Sequence, residues 1–230
     1  MESPHPPQPT GLHGGAAAAA RPAGHPSALW TLPAEPLAQH LQSGGAALFP
    51  TDTVPALAAS PAQAQSLWRL KRRPMDKPLI LMGADLAQLQ QLLTIPWRES
   101  WLEMAALSWP GAVTLVLPIP GPITEQLHPG GHSLGLRVPA CESARSLLRL
   151  CGPLATTSIN RTGEPSALDA LSAARTFPDL PLLAPLPWPA CRGQASRVLA
   201  WHEASGPEAD QWRQLRPGPE GMAQPSPPHP

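Results

Sequence analysis

The chain has 230 residues, 42% of them hydrophobic, enough for one large domain or two small ones with a genuine core. Sixteen Lys and Arg balance sixteen Asp and Glu, so no global field draws the protein to nucleic acid or membrane, and any anion site must be local. Three cysteines without paired spacing argue against a zinc knuckle or a disulfide framework and fit a reducing compartment.

Proline is the compositional outlier, at 34 residues, and it concentrates at the two ends. Residues 1–27 read as a disordered Pro/Ala/Gly-rich leader and 204–230 as a Pro-rich disordered tail, with the ordered domain at 28–203. The N-terminus lacks the basic-then-apolar layout of a secretory signal, and no apolar run approaches the ~20 residues of a membrane span, so a cytoplasmic protein is expected.

Within the domain, helical and strand-like segments alternate. Pro36 to Gln42 reads as a short helix stopped by Gly44-Gly45, and Ala46 to Phe49 as a buried strand. Ser60-Pro61 opens a helix carrying Leu67, Trp68 and Leu70 and delivering Lys71 at its end. Strands are expected at Leu79 to Met82, Val113 to Leu117, Leu134 to Val138, Leu154 to Ser158 and Arg197 to Trp201. Helices are expected at Asp85 to Leu93, Arg98 to Leu107, Glu142 to Leu150 and Leu168 to Arg175. This alternation predicts an α/β sheet flanked by helices, with ligand groups gathering in the loops after strands.

Lys71-Arg72-Arg73-Pro74-Met75-Asp76-Lys77-Pro78-Leu79 is the most informative stretch. It sets four cations within seven residues, and its two prolines stiffen the backbone. A rigid cationic loop entering a buried strand suits a polyanion, most simply a nucleoside triphosphate. Taken alone, a solvated basic turn explains it equally well. Other loops add weight. Pro50-Thr51-Asp52-Thr53-Val54 follows the first strand. Arg137 sits in the otherwise apolar Leu134-Gly135-Leu136-Arg137-Val138, where alternation puts Gly135 and Arg137 on one face, and an unpaired buried charge is costly. Thr156 to Ser166 is dense in hydroxyls and amides, and Ser196 precedes the last strand. No Gly-x4-Gly-Lys-Ser/Thr loop is present, so side chains and strand edges would have to hold any triphosphate.

The order of these segments resembles the YrdC-like threonylcarbamoyl-adenylate synthases in their short, single-domain form. Pro50 to Val54 matches Pro-Thr-x-Thr-Val. Lys71 to Leu79 matches Lys-x-Arg-Pro-x-x-Lys-Pro-Leu. Trp109 to Leu117 matches Trp-Pro-Gly-x-x-Thr-Leu-Val-Leu. Arg137 to Pro139 matches Arg-x-Pro, and Ser158 to Pro165 matches Ser-x-Asn-x-(Ser/Thr)-Gly-x-Pro. The resemblance implies a twisted, mostly parallel open sheet with flanking helices and a deep cationic cleft. It implies a reaction of L-threonine, bicarbonate and ATP giving threonylcarbamoyl-AMP and pyrophosphate for threonylcarbamoyladenosine modification of tRNA, with Mg²⁺ accompanying the ATP and no tightly bound cofactor.

By resemblance, Lys71, Arg73, Ser158 and Asn160 form the catalytic core. Lys77, Thr156, Ser166 and Ser196 contact ATP, and Thr51, Thr53 and Arg137 contact threonine. A downstream threonylcarbamoyl transferase is the implied partner, and RNA contact is left open. A double-stranded-RNA-binding paralogue without synthase activity is the alternative. The YrdC-like module of hydrogenase-maturation proteins fits less well, lacking here the cysteines of their zinc fingers. Four departures stand out: Pro55-Ala56 where the family has Tyr-Gly, Met82 where it often has His, Ile159 within Ser-x-Asn, and Ser196-Arg197 for Ser-Thr.

Overall fold

The computed structural model describes residues 29–203 and 211–219. Its frame is a ten-stranded sheet. In chain order the strands are β1 (Thr31–Leu32), β2 (Ala46–Phe49), β3 (Ala56–Ala59), β4 (Ile80–Met82), β5 (Val113–Leu117), β6 (Leu134–Arg137), β7 (Leu154–Ser158), β8 (Leu182–Leu183), β9 (Arg197–Trp201) and β10 (Trp212–Arg216). Across the sheet the order is β1-β8-β2-β3-β7-β4-β6-β5-β9-β10. The helices are α1 (Ala34–Gln42), α2 (Gln65–Lys71), α3 (Leu86–Leu93), α4 (Glu99–Ser108), α5 (Pro122–Leu127), α6 (Glu142–Cys151) and α7 (Ala170–Thr176).

The expected α/β sheet with flanking helices is present, but it is mixed rather than mostly parallel. β1/β8, β2/β8, β4/β6 and β5/β9 run parallel, while β2/β3, β3/β7, β4/β7, β5/β6 and β9/β10 run antiparallel. Connection length explains much of this. Only Pro50 to Pro55 join β2 to β3, too few for the crossover that a parallel pair requires.

Strand alternation sorts the side chains onto two faces. Leu57, Leu81, Leu115, Leu134, Leu136, Ala155, Leu199 and Trp201 turn to one side, joining Leu67, Trp68, Leu89, Met104 and Ala173 from the helices there in the larger core. Ala58, Met82 and Leu154 turn to the other side, under Leu37, Leu41, Leu147 and Leu148 of α1 and α6. Each fully buried leucine contributes about 1.5–3 kcal/mol. Two helices cannot cover the second face of so wide a sheet, and the candidate site lies along it.

Local chemistry fixes several ends. Asp85 accepts from Gln88 N at 2.8 Å and caps α3, and Asp169 forms a capping box with Ser172 on α7. Gly44, at φ +93°, turns the chain out of α1. Ser60 stands at the start of a 3₁₀ turn, Pro61–Gln63, before α2, and its side chain makes no capping bond.

The structure corrects the expected tail. Residues 212–216 form β10, paired antiparallel with β9, so the ordered chain passes 203. Trp212 packs edge-on to Trp201 at 5.3 Å between ring centroids, a contact invisible in a segment read by its proline content. The expected leader, 1–27, lies outside the described residues, as do 204–210 and 220–230.

Candidate active site

A cavity of about 420 Å³ opens on the less covered face of the sheet, a volume that suits a small ligand. Its floor comes from Ala56 of β3, Ile80 and Met82 of β4, Arg137 of β6, and Thr156 and Ser158 of β7. Its walls come from the turn Thr51–Pro55, from Arg73 and Pro78, from Pro165, Ser166 and Leu168, and from Gly193, Ala195, Ser196 and Arg216. Three arginines stand in this lining and no carboxylate does.

Lys71 lies just behind the floor, 1% exposed. It ends α2, and its carbonyl accepts from Thr162 N and Thr162 Oγ1, both at 3.2 Å. Its Nζ donates to Ser158 O and Asn160 Oδ1, both at 2.6 Å, and reaches Ser158 Oγ at 3.5 Å. Ser158 Oγ donates to Asn160 Oδ1 at 2.7 Å, and Asn160 Nδ2 donates to the carbonyls of Arg161 and Glu164. The ammonium, hydroxyl and amide therefore form one network that fixes the loop after β7. Burial, reinforced by the neighbouring Arg73 charge, lowers the Lys71 pKa to about 8.

Arg73 is half-buried. Its Nη2 donates to Pro78 O at 3.2 Å, across the proline-stiffened loop, while its Nε–H is buried without a partner. An unpaired buried donor on a cavity wall is costly unless a ligand meets it. Lys77 is exposed and absent from the lining.

Arg137 is 3% exposed and lines the cavity beside Thr53. Its Nε donates to Gly111 O at 3.1 Å, its Nη1 to Thr53 Oγ1 at 2.7 Å and its Nη2 to Asp52 Oδ1 at 2.8 Å. Asp52 Oδ1 also accepts from Ala140 N at 3.0 Å. The guanidinium is thus pinned as an ion pair, leaving one N–H on each terminal nitrogen. Burial lowers its pKa and Asp52 offsets part of that effect. On the face that Gly135 shares with Arg137, the position beside the glycine is filled. A Cβ there would stand 2.8 Å from Ile80 Cγ2, so the glycine admits Ile80 rather than keeping a void.

Thr51, Thr53, Arg73, Arg137, Thr156, Ser158, Ser166 and Ser196 all reach the cavity. Lys71 and Asn160 support it from behind, and Lys77 stands apart. Sequence reasoning missed Asp52, Ile80, Thr114 and Arg216. Thr114 Oγ1 lies 2.8 Å from Ser196 Oγ, and Arg216 donates through Nε to Ser196 O at 2.9 Å. Asp52 carried a usable signal, since a buried Arg137 demands a nearby carboxylate. Arg216 was hidden by its assignment to the tail.

Fold and site together define an α/β protein whose pocket mixes fixed cations and hydroxyls with apolar side chains. The family model Sua5_yciO_yrdC, described as "Telomere recombination", matches residues 39–218, and the chain belongs to that family. The threonylcarbamoyl-AMP synthase of Stenotrophomonas maltophilia is 39% identical over 133 residues, 55% of this chain and 71% of the relative. That of Nitrosococcus oceani is 35% identical over 144 residues, 61% of this chain and 77% of the relative. The crystal structure of P. abyssi Sua5 complexed with L-threonine is 29% identical with a TM-score of 0.71, over 80% of this chain and 54% of that one. The chain thus spans about half the length of that structure.

Proposed function

We propose that the protein is an L-threonylcarbamoyladenylate synthase, converting L-threonine, bicarbonate and ATP into threonylcarbamoyl-AMP and pyrophosphate for tRNA modification. The observation that carries this reading is the Lys71–Ser158–Asn160 network beside the unpaired Arg73 donor, in a family whose curated relatives are named for this activity. The amine of threonine and bicarbonate condense to a carbamate, and a carbamate oxygen attacks the α-phosphorus of ATP. Both reactants are anions, so fixed cations must offset their repulsion and the charge growing on the pyrophosphate.

Arg73 faces the phosphates with its unmet N–H, and Lys71 supplies positive charge through the Ser158 strand end. Thr156, Ser166 and Ser196 contact the nucleotide, and Lys77 reaches it from the exposed loop. Arg137 takes the threonine carboxylate on its two remaining N–H groups, with Thr51 and Thr53 ordering that corner. Among the described residues no three His, Cys, Asp or Glu stand together as a metal site. A Mg²⁺ would therefore be held chiefly by the triphosphate oxygens, which is how this ion is usually bound. The proposal extends to the cytoplasm as location, to RNA contact near exposed Arg72 and Lys77, and to hand-over of the adenylate to a threonylcarbamoyl transferase. Among the described residues no helix is long and apolar enough to cross a membrane. The one-domain organisation is likewise proposed, now with β10 inside the domain.

The test is pyrophosphate release by the purified protein with ATP and bicarbonate, with and without L-threonine. Threonine-dependent release with a product of threonylcarbamoyl-AMP mass is expected. Absence of threonine-dependent release overturns the assignment.

A further inference from the structure

On its β4 side the cavity around Arg137 is apolar, whereas Ser196, bonded to Arg216 and to Thr114 of β5, forms with Arg216 a polar wall elsewhere in the lining. Met82 and Arg137 are register partners on parallel β4 and β6, so their side chains rise side by side from one face of the sheet. Ile80 stands two residues before Met82 on the same face, and Val54, Pro55 and Ala56 also line the cavity. A carboxylate held by Arg137 therefore places its α-carbon and side chain against a thioether and a hydrocarbon wall.

The hydroxyls nearest this corner are already engaged. Thr51 Oγ1 donates to Val54 O at 2.7 Å and accepts from Thr53 N at 3.2 Å. Thr53 Oγ1 accepts from Arg137 and lies 3.1 Å from Thr51 Oγ1. Thr156 Oγ1 donates to Ile80 O at 3.3 Å. Within the lining, Arg73 Nε is the one buried side-chain polar atom of the described residues that lacks a partner. The threonine hydroxyls of this corner, Thr51, Thr53 and Thr156, thus already have partners within the protein.

Selectivity follows from that difference. A site built to hydrogen-bond a substrate hydroxyl rejects the analogue lacking it by about 10⁴–10⁵-fold, because its own polar groups are left unpaired. An apolar pocket separates close isosteres by only about 10–200-fold. We propose that this site also accepts apolar α-amino acids of threonine's size, L-valine and L-2-aminobutyrate, and forms their carbamoyl adenylates, with Met82 setting that tolerance. The inference rests on the synthase assignment. The chemistry is unchanged: amine and bicarbonate lose water to give a carbamate. A carbamate oxygen then bonds to the α-phosphorus as the bond to pyrophosphate breaks. The amino-acid side chain takes no part in either step.

The experiment compares kcat/KM for pyrophosphate release with L-threonine, L-valine and L-2-aminobutyrate, identifying each adenylate by mass. Both analogues are expected within about 10³-fold of threonine. Discrimination beyond 10³-fold with threonine active overturns the inference alone. Inactivity with threonine itself overturns the synthase assignment and the inference together. Met82→Gln, of similar length but polar, should raise the threonine-to-valine ratio at least tenfold, whereas Met82→Leu should leave it nearly unchanged. Equal ratios in folded Met82→Gln and wild type remove Met82 as the determinant. If Met82→Gln does not fold, the half-buried Ile80→Thr replaces it under the same criterion.

Discussion

At the scale of residues, the site is built from charges that are paired on one side and open on the other. Lys71→Ala removes the hub between Ser158 and Asn160, and Arg73→Ala removes the wall's unmet donor. Each should cost about 2–4 kcal/mol of transition-state stabilisation, read as a loss of pyrophosphate release in folded variants. Arg72, exposed and at φ 51°, should matter less. Lys71 also predicts two pH effects of opposite sign. Its folded pKa is about 8, against 10.5 ordinarily. Between those values the unfolded chain binds more protons, so stability rises with pH across that window and the gain is absent in Lys71→Met. The Lys71 charge is lost over the same range, so if it serves ATP as proposed, kcat/KM for ATP should fall above pH 8, roughly tenfold by pH 9. Thermal melts and a kinetic profile on the same samples check both signs. Arg137→Lys should raise KM for threonine more than for ATP, since an ammonium cannot make the planar contact. Asp52→Ala should cost stability as well, about 3–5 kcal/mol, by leaving the Arg137 charge buried and unpaired. An unchanged melting midpoint in Asp52→Ala would show that the pair is not structural.

At the scale of elements, legibility followed the strength of the local signal. β5 and β7 stand where Val113 to Leu117 and Leu154 to Ser158 were expected, because each is apolar or β-branched and bounded by Gly or Pro. β3 was missed because Ala56-Leu57-Ala58-Ala59 carries no strand preference. Its conformation comes from lying between β2 and β7, a tertiary effect no local pattern encodes. α5 was missed because the six residues Pro122–Leu127 give no period to read. The expected parallel bias came from the family resemblance, since helix–strand alternation fixes composition but not strand direction. The cationic loop and the Ser158–Asn160 segment stood out by residue type, and a buried Arg137 called for a carboxylate, but pairing across 85 residues leaves no spacing to say that it is Asp52. Gly135 gives an element-level test. Gly135→Ala forces a Cβ to within 2.8 Å of Ile80 Cγ2 and 3.4 Å of Thr114 Cγ2. It should destabilise the protein by about 1–3 kcal/mol. Ile80→Ala in the same chain should recover part of that loss, so a double-mutant cycle with no coupling would refute the close contact.

At the scale of the whole molecule, the last strand joins fold to function. β10 extends the sheet beyond β9, ends a line of edge-on tryptophans running Trp97, Trp101, Trp201 and Trp212, and carries Arg216 back to Ser196 at the cavity wall. Trp201 and Trp101 are buried beneath it, and Arg98 lies over both rings. A chain ending at residue 210 therefore loses a strand ladder, an aromatic contact and a cavity cation at once. Uncovering the Trp201 edge should cost at least about 1.5–3 kcal/mol, equivalent to a drop in midpoint of several degrees for a domain of this size. The loss of Arg216 should separately raise the apparent KM for ATP. Arg216→Ala in the chain ending at 219 isolates that second effect, since it keeps Trp212 on Trp201. If the chain ending at 210 melts with the one ending at 219 and binds ATP equally well, β10 is an appendage. If only Arg216→Ala is silent, the strand stabilises the sheet without serving the site.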